Sequence, residues 1–433
     1  MTLVSSEPAS SRIAGFDGLR AIAVTLVILW HVPSVLYFPD AQLGPLRTVS
    51  SIGWMGVDLF FVLSGYLITT LLLREEATSP SGRFAMGRFY LRRSLRILPA
   101  FVAVMALNYT LLWRHPLFTS VGVGAVIARD DWRQLTAFAL FLGNYWGPYA
   151  WRLWRPVAHV GPAVSVTWSL CIEEHFYLLW PMLLRALPRA RLALALSVCV
   201  LLPAVRYVAA AARFDREIAL HVATHYRIDS ILWGAALALY SATRPLPGAR
   251  VRRSALALLG GLTAWCVATG HLGALPRSTP LGHSLGLTLL ALLSVAVIAE
   301  VVAAPQSTLV RALEARPLRA LGARSYGVYL VHFWAIDLTR PVLFHLQVIP
   351  SPAVYVFACT VTLLIAMALA TVLYHAVERP FLALKDRMRP RPETTAPAVD
   401  AVSLAGRDGL SAAASTGGPA PVVAAPRSAP PRG

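Results

Sequence analysis

Charged residues are scarce in this 433-residue sequence. Asp, Glu, Lys and Arg make up 14% of it and hydrophobic residues 57%, whereas an ordinary soluble domain carries roughly 25% charged residues. Polar outer faces for two or three domains cannot be built from that supply, which excludes a soluble enzyme. Acids are scarcer than bases, 21 against 39, for a formal net charge of +18. The arginines sit at the ends of apolar stretches rather than along one soluble face, so lipid head groups are the expected partner and nucleic acid is not. Cysteine is limited to Cys171, Cys199, Cys266 and Cys359, all within apolar runs and without C-x-x-C spacing. Neither a disulfide framework nor a zinc site follows from them, and no metal is expected. There is also no G-x-S-x-G elbow, so Ser64 in FFVLSGYLIT reads first as a small packing residue.

What the sequence does have is apolar stretches of about 20 residues, the length that crosses a bilayer as a helix. They run near 19–38, 52–73, 97–113, 167–187, 192–212, 228–241, 254–272, 281–303, 325–344 and 353–377. The fold class is therefore all-α, a polytopic membrane helical bundle of about ten transmembrane helices. A further run at 134–149 is shorter and contains Gly143, Asn144 and Pro148, and its status decides the topology. Short cytoplasmic loops are rich in Lys and Arg. With 134–149 not spanning, the arginine clusters at 74–96, 185–191, 244–253 and 311–324 and the basic tail all fall inside, while Arg213, Arg216 and Arg227 fall on an outer loop. We therefore expect ten spans with both termini cytoplasmic, and an outer excursion at 114–166 carrying a re-entrant or interfacial segment. The first stretch holds Arg20 and His31 and has no small-residue cleavage site, so it is expected to stay in the protein. The region 390–433 is rich in Pro, Ala, Ser and Gly and lacks aromatics, which implies a disordered cytoplasmic tail after a membrane domain at 1–385.

Ionisable groups within a bilayer cost a few kcal/mol or more each and face a cavity or a partner. Arg20 and His31 are eleven residues apart, about 1100° around a helix, so they share a face about 16 Å apart in depth. Asp58, Glu173 and Glu174 come from two other stretches and fall at nearly the same depth as His31, about 9–10 Å below the outer edge. An imidazole beside carboxylates in that layer suits general-base activation of a hydroxyl, with the carboxylate orienting the ring. The other reading is that each is an isolated structural hydrogen-bonder. At the inner surface Arg93 and Arg96 share a helix face in RRSLRILPA. They are either a bidentate phosphate fork or purely topogenic charges. Ser64, Tyr66, Trp168 and His332 complete the candidate pocket, His332 being equally readable as a satisfied structural histidine.

Seven blocks in this order, FDGLRAIAVTLVILWH, GVDLFFVLSGYLIT, RRSLRILPA, TWSLCIEEHFYLLWP, RIDSILWGAALALY, SYGVYLVH and VERPF, resemble the acyltransferase-3 family of integral-membrane O-acyltransferases over about residues 12–385. The resemblance implies transfer of an acyl group, commonly acetyl, from cytoplasmic acyl-CoA to a hydroxyl of a carbohydrate or glycosylated small molecule. It places the family's Arg-x10-His pair on Arg20 and His31, its Arg-x-x-Arg on Arg93 and Arg96, its span glutamate on Glu173 and its serine-tyrosine motif on Ser325 and Tyr326. Acyl-CoA is then a donor cosubstrate, with no permanently bound cofactor, and the setting is a bacterial-type inner membrane. His31 acts either as base for direct attack or as the first acyl acceptor. The competing class is a proton-coupled transporter or flippase using the same buried charges.

The topology is testable. Cysteines placed at Ser120 and Ser165 should both react with an impermeant thiol reagent supplied outside, and one at Ala249 should not. Opposite reactivity of 120 and 165 would show that 134–149 crosses.

Overall fold

In an apolar medium every backbone N–H and C=O has to be satisfied within the chain, and a helix does this locally. Helices accordingly occupy each of the ten apolar stretches. They are α1 (Phe16–Val35), α2 (Gly56–Thr78), α3 (Met86–Thr110), α4 (Trp168–Ala186), α5 (Arg191–Ala211), α6 (Thr224–Thr243), α7 (Ala249–Ala268), α8 (Leu287–Ala303), α9 (Ser325–His345) and α10 (Pro352–Leu373). The computed structural model describes residues 12–38, 42–110, 132–153, 166–213, 217–269, 279–346 and 349–387, with no β-strand among them. Among the described residues, five segments are long and apolar enough to cross a membrane: Phe16–Val35, Leu46–Thr78, Arg191–Ala211, Gly282–Ala303 and Pro352–Leu384. The remaining long helices, α3, α4, α6, α7 and α9, run 19 to 25 residues and hold most of the polar residues singled out above. The expected tail at 390–433 and the parts of the expected excursion at 114–131 and 154–165 lie outside the described residues.

Local chemistry sets several boundaries. Ser351 caps α10, its side chain accepting from the Val354 N–H, and Pro352 occupies the first turn, where its missing N–H costs nothing. The run at 134–149 is not one helix. It divides into Trp132–Ala139 and Gly143–Leu153, of 8 and 11 residues, each shorter than the ~20 needed to span. Phe141 at the break has φ 56°, in the left-handed region.

The centre of the bundle is the crossing of α2 and α6. Both helices present a glycine there, because a Cβ on Gly65 would overlap the Ile231 carbonyl and one on Gly234 would overlap the Val62 carbonyl. The two backbones therefore touch, as small residues permit between membrane helices. α1 packs against α2, α9 and α10, so Arg20 and His31 face the interior from one rigid element. By contrast α5 carries the exposed apolar face Val200, Leu201, Val205 and Val208, suited to lipid.

Beside the α2–α6 crossing lies a buried ionic cluster. Arg206 of α5 donates to Asp229 (2.7 Å), to the Tyr226 carbonyl (2.8 Å) and to Thr288 (3.1 Å). Arg227 of α6 pairs with Asp58 of α2 at 2.9 Å, and the Ser230 hydroxyl donates to the same carboxylate oxygen at 3.1 Å. Arg227 is thus a buried member of α6 and not an outer-loop charge. Its assignment to a loop counted position along the chain and could not see the acid waiting on α2.

A side chain forced into the glycine crossing should separate the helices. Gly65→Leu should cost about 1–3 kcal/mol or more, as overpacking does, read as a lower thermal midpoint in detergent. Gly87→Leu, where a Cβ meets open space, should leave the midpoint unchanged or slightly raised.

Candidate active site

Two cavities lie side by side within the bundle. The first, about 110 Å³, is lined by Arg20, Arg93, Arg96, Ser64, Glu173, Ser325 and Tyr326 together with Val57, Phe60, Phe61, Ile97, Ser169, Leu170 and Tyr329. The second, about 210 Å³, contains His31 with Trp168, Trp30, Trp54, Asn144, His221 and Tyr329. Its wall includes Phe138, Gly143 and Pro148, so the two short helices of 132–153 form part of it.

The arginines of the first cavity come from two directions. Arg20 is held by Asp17 at 3.1 Å, and Asp17 also accepts from Arg12 at 2.9 Å. Arg12 in turn grips both oxygens of Glu314 at 2.7 Å, tying the start of α1 to the segment before α9. Arg93 reaches in from α3 and lies 3.9 Å above the Tyr177 ring, a cation–π contact in a place with little water. The Tyr177 hydroxyl donates to one Glu173 oxygen at 2.6 Å, and Ser64 donates to the other at 3.0 Å. Tyr326 is fixed by donation to the Ile97 carbonyl at 2.9 Å, which joins α9 to α3. Three guanidinium groups, two of them on one helix face, thus share a small cavity with a carboxylate that already has two hydroxyl donors.

His31 occupies the second cavity under different control. Its Nδ1 lies 2.9 Å from the Val27 carbonyl. A carbonyl can only accept, so Nδ1 carries the proton and Nε2 keeps its lone pair. His332 is ordered the same way, Nδ1 to the Tyr329 carbonyl at 2.6 Å, and the two imidazole centroids are 5.1 Å apart. His332 is fully buried, and its Nε2 has no hydrogen-bond partner among the described residues.

The sequence-derived candidates therefore fall into three groups. Arg20, Arg93, Arg96, Ser64, Glu173, Ser325 and Tyr326 line one cavity, and His31 and Trp168 the next, with His332 behind His31. Asp58 is apart from both, committed to Arg227 and Ser230. Tyr66 packs on Phe16 at 5.7 Å and lines neither cavity, and the same holds for Glu174, whose Oε1 is buried without a partner among the described residues. The orienting group of His31 is the Val27 carbonyl of its own helix rather than a carboxylate. Depth along the membrane normal put the acids in one layer, but it carries no information on which way each helix is turned. Tyr329, Asn144 and His221 were not singled out by sequence. Tyr329 was accessible, standing three residues from Tyr326 and so on the same helix face; Asn144 and His221 stand in short helices of 11 and 6 residues outside the ten apolar stretches. Among the described residues no group of three or more His, Cys, Asp or Glu is arranged to hold a metal.

An all-helical bundle with an arginine-lined cavity abutting a histidine cavity defines a polytopic, membrane-type protein with a two-compartment polar centre. Residues 13–371 match the family described as acyltransferase domain, and the chain belongs to that acyltransferase-3 family. It is 30% identical over 339 residues to the peptidoglycan O-acetyltransferase OatA of Listeria monocytogenes, covering 76% of this chain and 50% of the relative. To the O-acetyltransferase OatA of Staphylococcus aureus it is 26% identical over 379 residues, 85% of this chain and 57% of the relative. The YrhL protein of Bacillus subtilis, provisionally named a peptidoglycan O-acetyltransferase, is 31% identical over 382 residues, 85% and 54% of the two chains. The chain spans about half the length of the curated relatives it matches. No solved structure matches it.

The position of Asp58 separates a structural from a catalytic role. Asp58→Ala leaves a buried guanidinium unpaired and should cost about 3–5 kcal/mol in stability. Adding Arg227→Met should restore most of that loss, measured as thermal midpoints of the single and double variants. A double variant as unstable as the single one would contradict the pairing.

Proposed function

We propose that the chain is a multi-pass membrane O-acyltransferase that moves an acyl group, acetyl above all, from cytoplasmic acyl-CoA to a hydroxyl of a cell-envelope carbohydrate. The observation that carries this reading is the pairing of the two cavities: cationic forks for phosphates in one, and an imidazole with a fixed bare Nε2 in the other. Family membership favours transfer over transport. The names of the relatives favour a peptidoglycan sugar as acceptor. In the topology we propose, ten helices span a bacterial-type inner membrane with both ends cytoplasmic, which turns the arginines toward the cytoplasm and His31 toward the outer half.

In this reading Arg20, Arg93 and Arg96 bind the CoA phosphates, and Glu173, held by Ser64 and Tyr177, fixes the arginine side of the cavity. Ser325 and Tyr326 line the path of the thioester. His31 Nε2 removes the proton of the acceptor hydroxyl as its oxygen attacks the thioester carbonyl carbon. The C–O bond forms, the C–S bond breaks, and the proton passes to the departing CoA thiolate, giving ester and free thiol. A two-step route would place the acyl group on the same Nε2 first, with the hydroxyl attacking afterwards. Asp58 has no part in either route.

Two variants test the roles separately. His31→Ala should reduce transfer of radiolabelled acetyl from acetyl-CoA to cell-wall glycan fragments by about 10²–10⁴ at normal abundance; activity within a few-fold of wild type would end the mechanism. Arg93→Lys with Arg96→Lys keeps the positive charge but loses the planar fork. It should raise the KM for acetyl-CoA more than that for the acceptor, and unchanged donor kinetics would mean that these arginines only orient the helix.

A further inference from the structure

Among their lining residues the two cavities have Val57 and Tyr329 in common. An acyl group that starts beside the arginines and ends within reach of His31 has to come past this pair. The Tyr329 ring is held in place at its far end. Its hydroxyl donates to the Val166 carbonyl at 2.7 Å, so the 2.6 Å contact with Ser169 must be donation by the serine to the phenol oxygen. Ser169 belongs to the arginine cavity and Val166 to the histidine cavity, so the bonds that anchor the ring lie on either side of the division. Swinging the ring aside breaks both bonds where little water is present to replace them. Phe60 meets the ring at 6.3 Å in an edge arrangement, closing a second direction. Val57 is β-branched and in a helix has essentially one side-chain rotamer, so it yields little.

We propose that Val57 and Tyr329 are the specificity-determining residues of the transfer: they form the aperture between the donor and histidine cavities and restrict the acyl group to the size of acetyl. The inference rests on the acyl-CoA reading above and deepens it by naming the donor class, a two-carbon acyl thioester. The CoA body and the thioester sulfur stay on the arginine side, and only the acyl carbon is presented in the opening. The Tyr329 backbone joins this aperture to the base, because its carbonyl orders His332, whose ring lies tilted beside that of His31, centroids 5.1 Å apart.

The test is a competition among acetyl-, propionyl- and butyryl-CoA with the full chain in vesicles, scored as the ratio of products within one preparation so that abundance cancels. The wild-type chain should discriminate by about 10-fold or more for each added methylene, within the range hydrophobic pockets achieve. Val57→Ala should shift the butyryl-to-acetyl ratio upward by about 10-fold or more. Tyr329→Phe, which keeps the ring and removes its anchor, should shift it in the same direction by less. Ratios unchanged in both variants would overturn the proposal.

A second readout needs no turnover. In right-side-out vesicles, Ser64→Cys should react slowly with a small impermeant methanethiosulfonate supplied outside, and about 10-fold faster or more when Tyr329→Ala is added, on the same aperture argument. Equal labelling rates would overturn the aperture whatever the chain catalyses. If no acyl thioester is consumed by the wild-type chain but labelling accelerates, the aperture stands and the acyl-CoA reading fails.

Discussion

A charge in an apolar interior has to be paired or hydrogen-bonded, and the manner in which each one is satisfied decides which side chains remain for chemistry. Asp58 pairs with Arg227 and Asp229 with Arg206, and these pairs join α2, α5 and α6 around the crossing made possible by Gly65 and Gly234. Glu173 is satisfied by two hydroxyl donors, and Arg93 lies against an aromatic face. His31 is satisfied at one nitrogen only, by a carbonyl of its own helix. The bundle thus commits Asp58, Asp229 and Glu173 to architecture and to the arginine cavity, and leaves the His31 Nε2 facing the histidine cavity.

In the function proposed above, the division into two cavities separates the two substrates. A phosphate ligand and a sugar hydroxyl differ in charge and, across a membrane, in the side they come from. The cationic cavity and the cavity walled by Trp30, Trp54 and Trp168 suit these two ligands, and α1 serves both by carrying Arg20 and His31 on one face. The second cavity is walled in part by the short helices at Trp132–Ala139 and Gly143–Leu153, each shorter than the length that crosses a bilayer.

The helices were legible in the sequence because an apolar run of about 20 residues permits little else. The segments at Arg20, Arg93, Glu173 and Tyr326 were legible because polar residues there are exceptions to that composition. Azimuth was not legible from depth. Asp58 and Ser64 sit on the same helix, six residues and about 240° apart, so the serine turns to Glu173 and the aspartate to α6. Asp58 and Gly65, seven apart, share the face that meets α6, a relation a helical wheel of α2 could have supplied had the partner helix been known. Arg206 was not singled out and Arg227 was assigned to a loop for the converse reason: each is paired with an acid on another helix, and such pairing leaves no trace along one chain. Tyr329 was passed over as one more aromatic, although its spacing from Tyr326 put it on the cavity side.

The central claim is that donor and acceptor meet from opposite sides across one division. It is tested most directly by sidedness of transfer in oriented vesicles, with labelled acetyl-CoA and a soluble cell-wall oligosaccharide supplied separately to the two faces. The account predicts acetylated oligosaccharide when acetyl-CoA is on the face bearing the 74–96 and 311–324 arginine clusters and the acceptor is on the other. It also predicts that exchanging the two sides abolishes the product. Equal yields in both arrangements, or product only when donor and acceptor share a face, would contradict it.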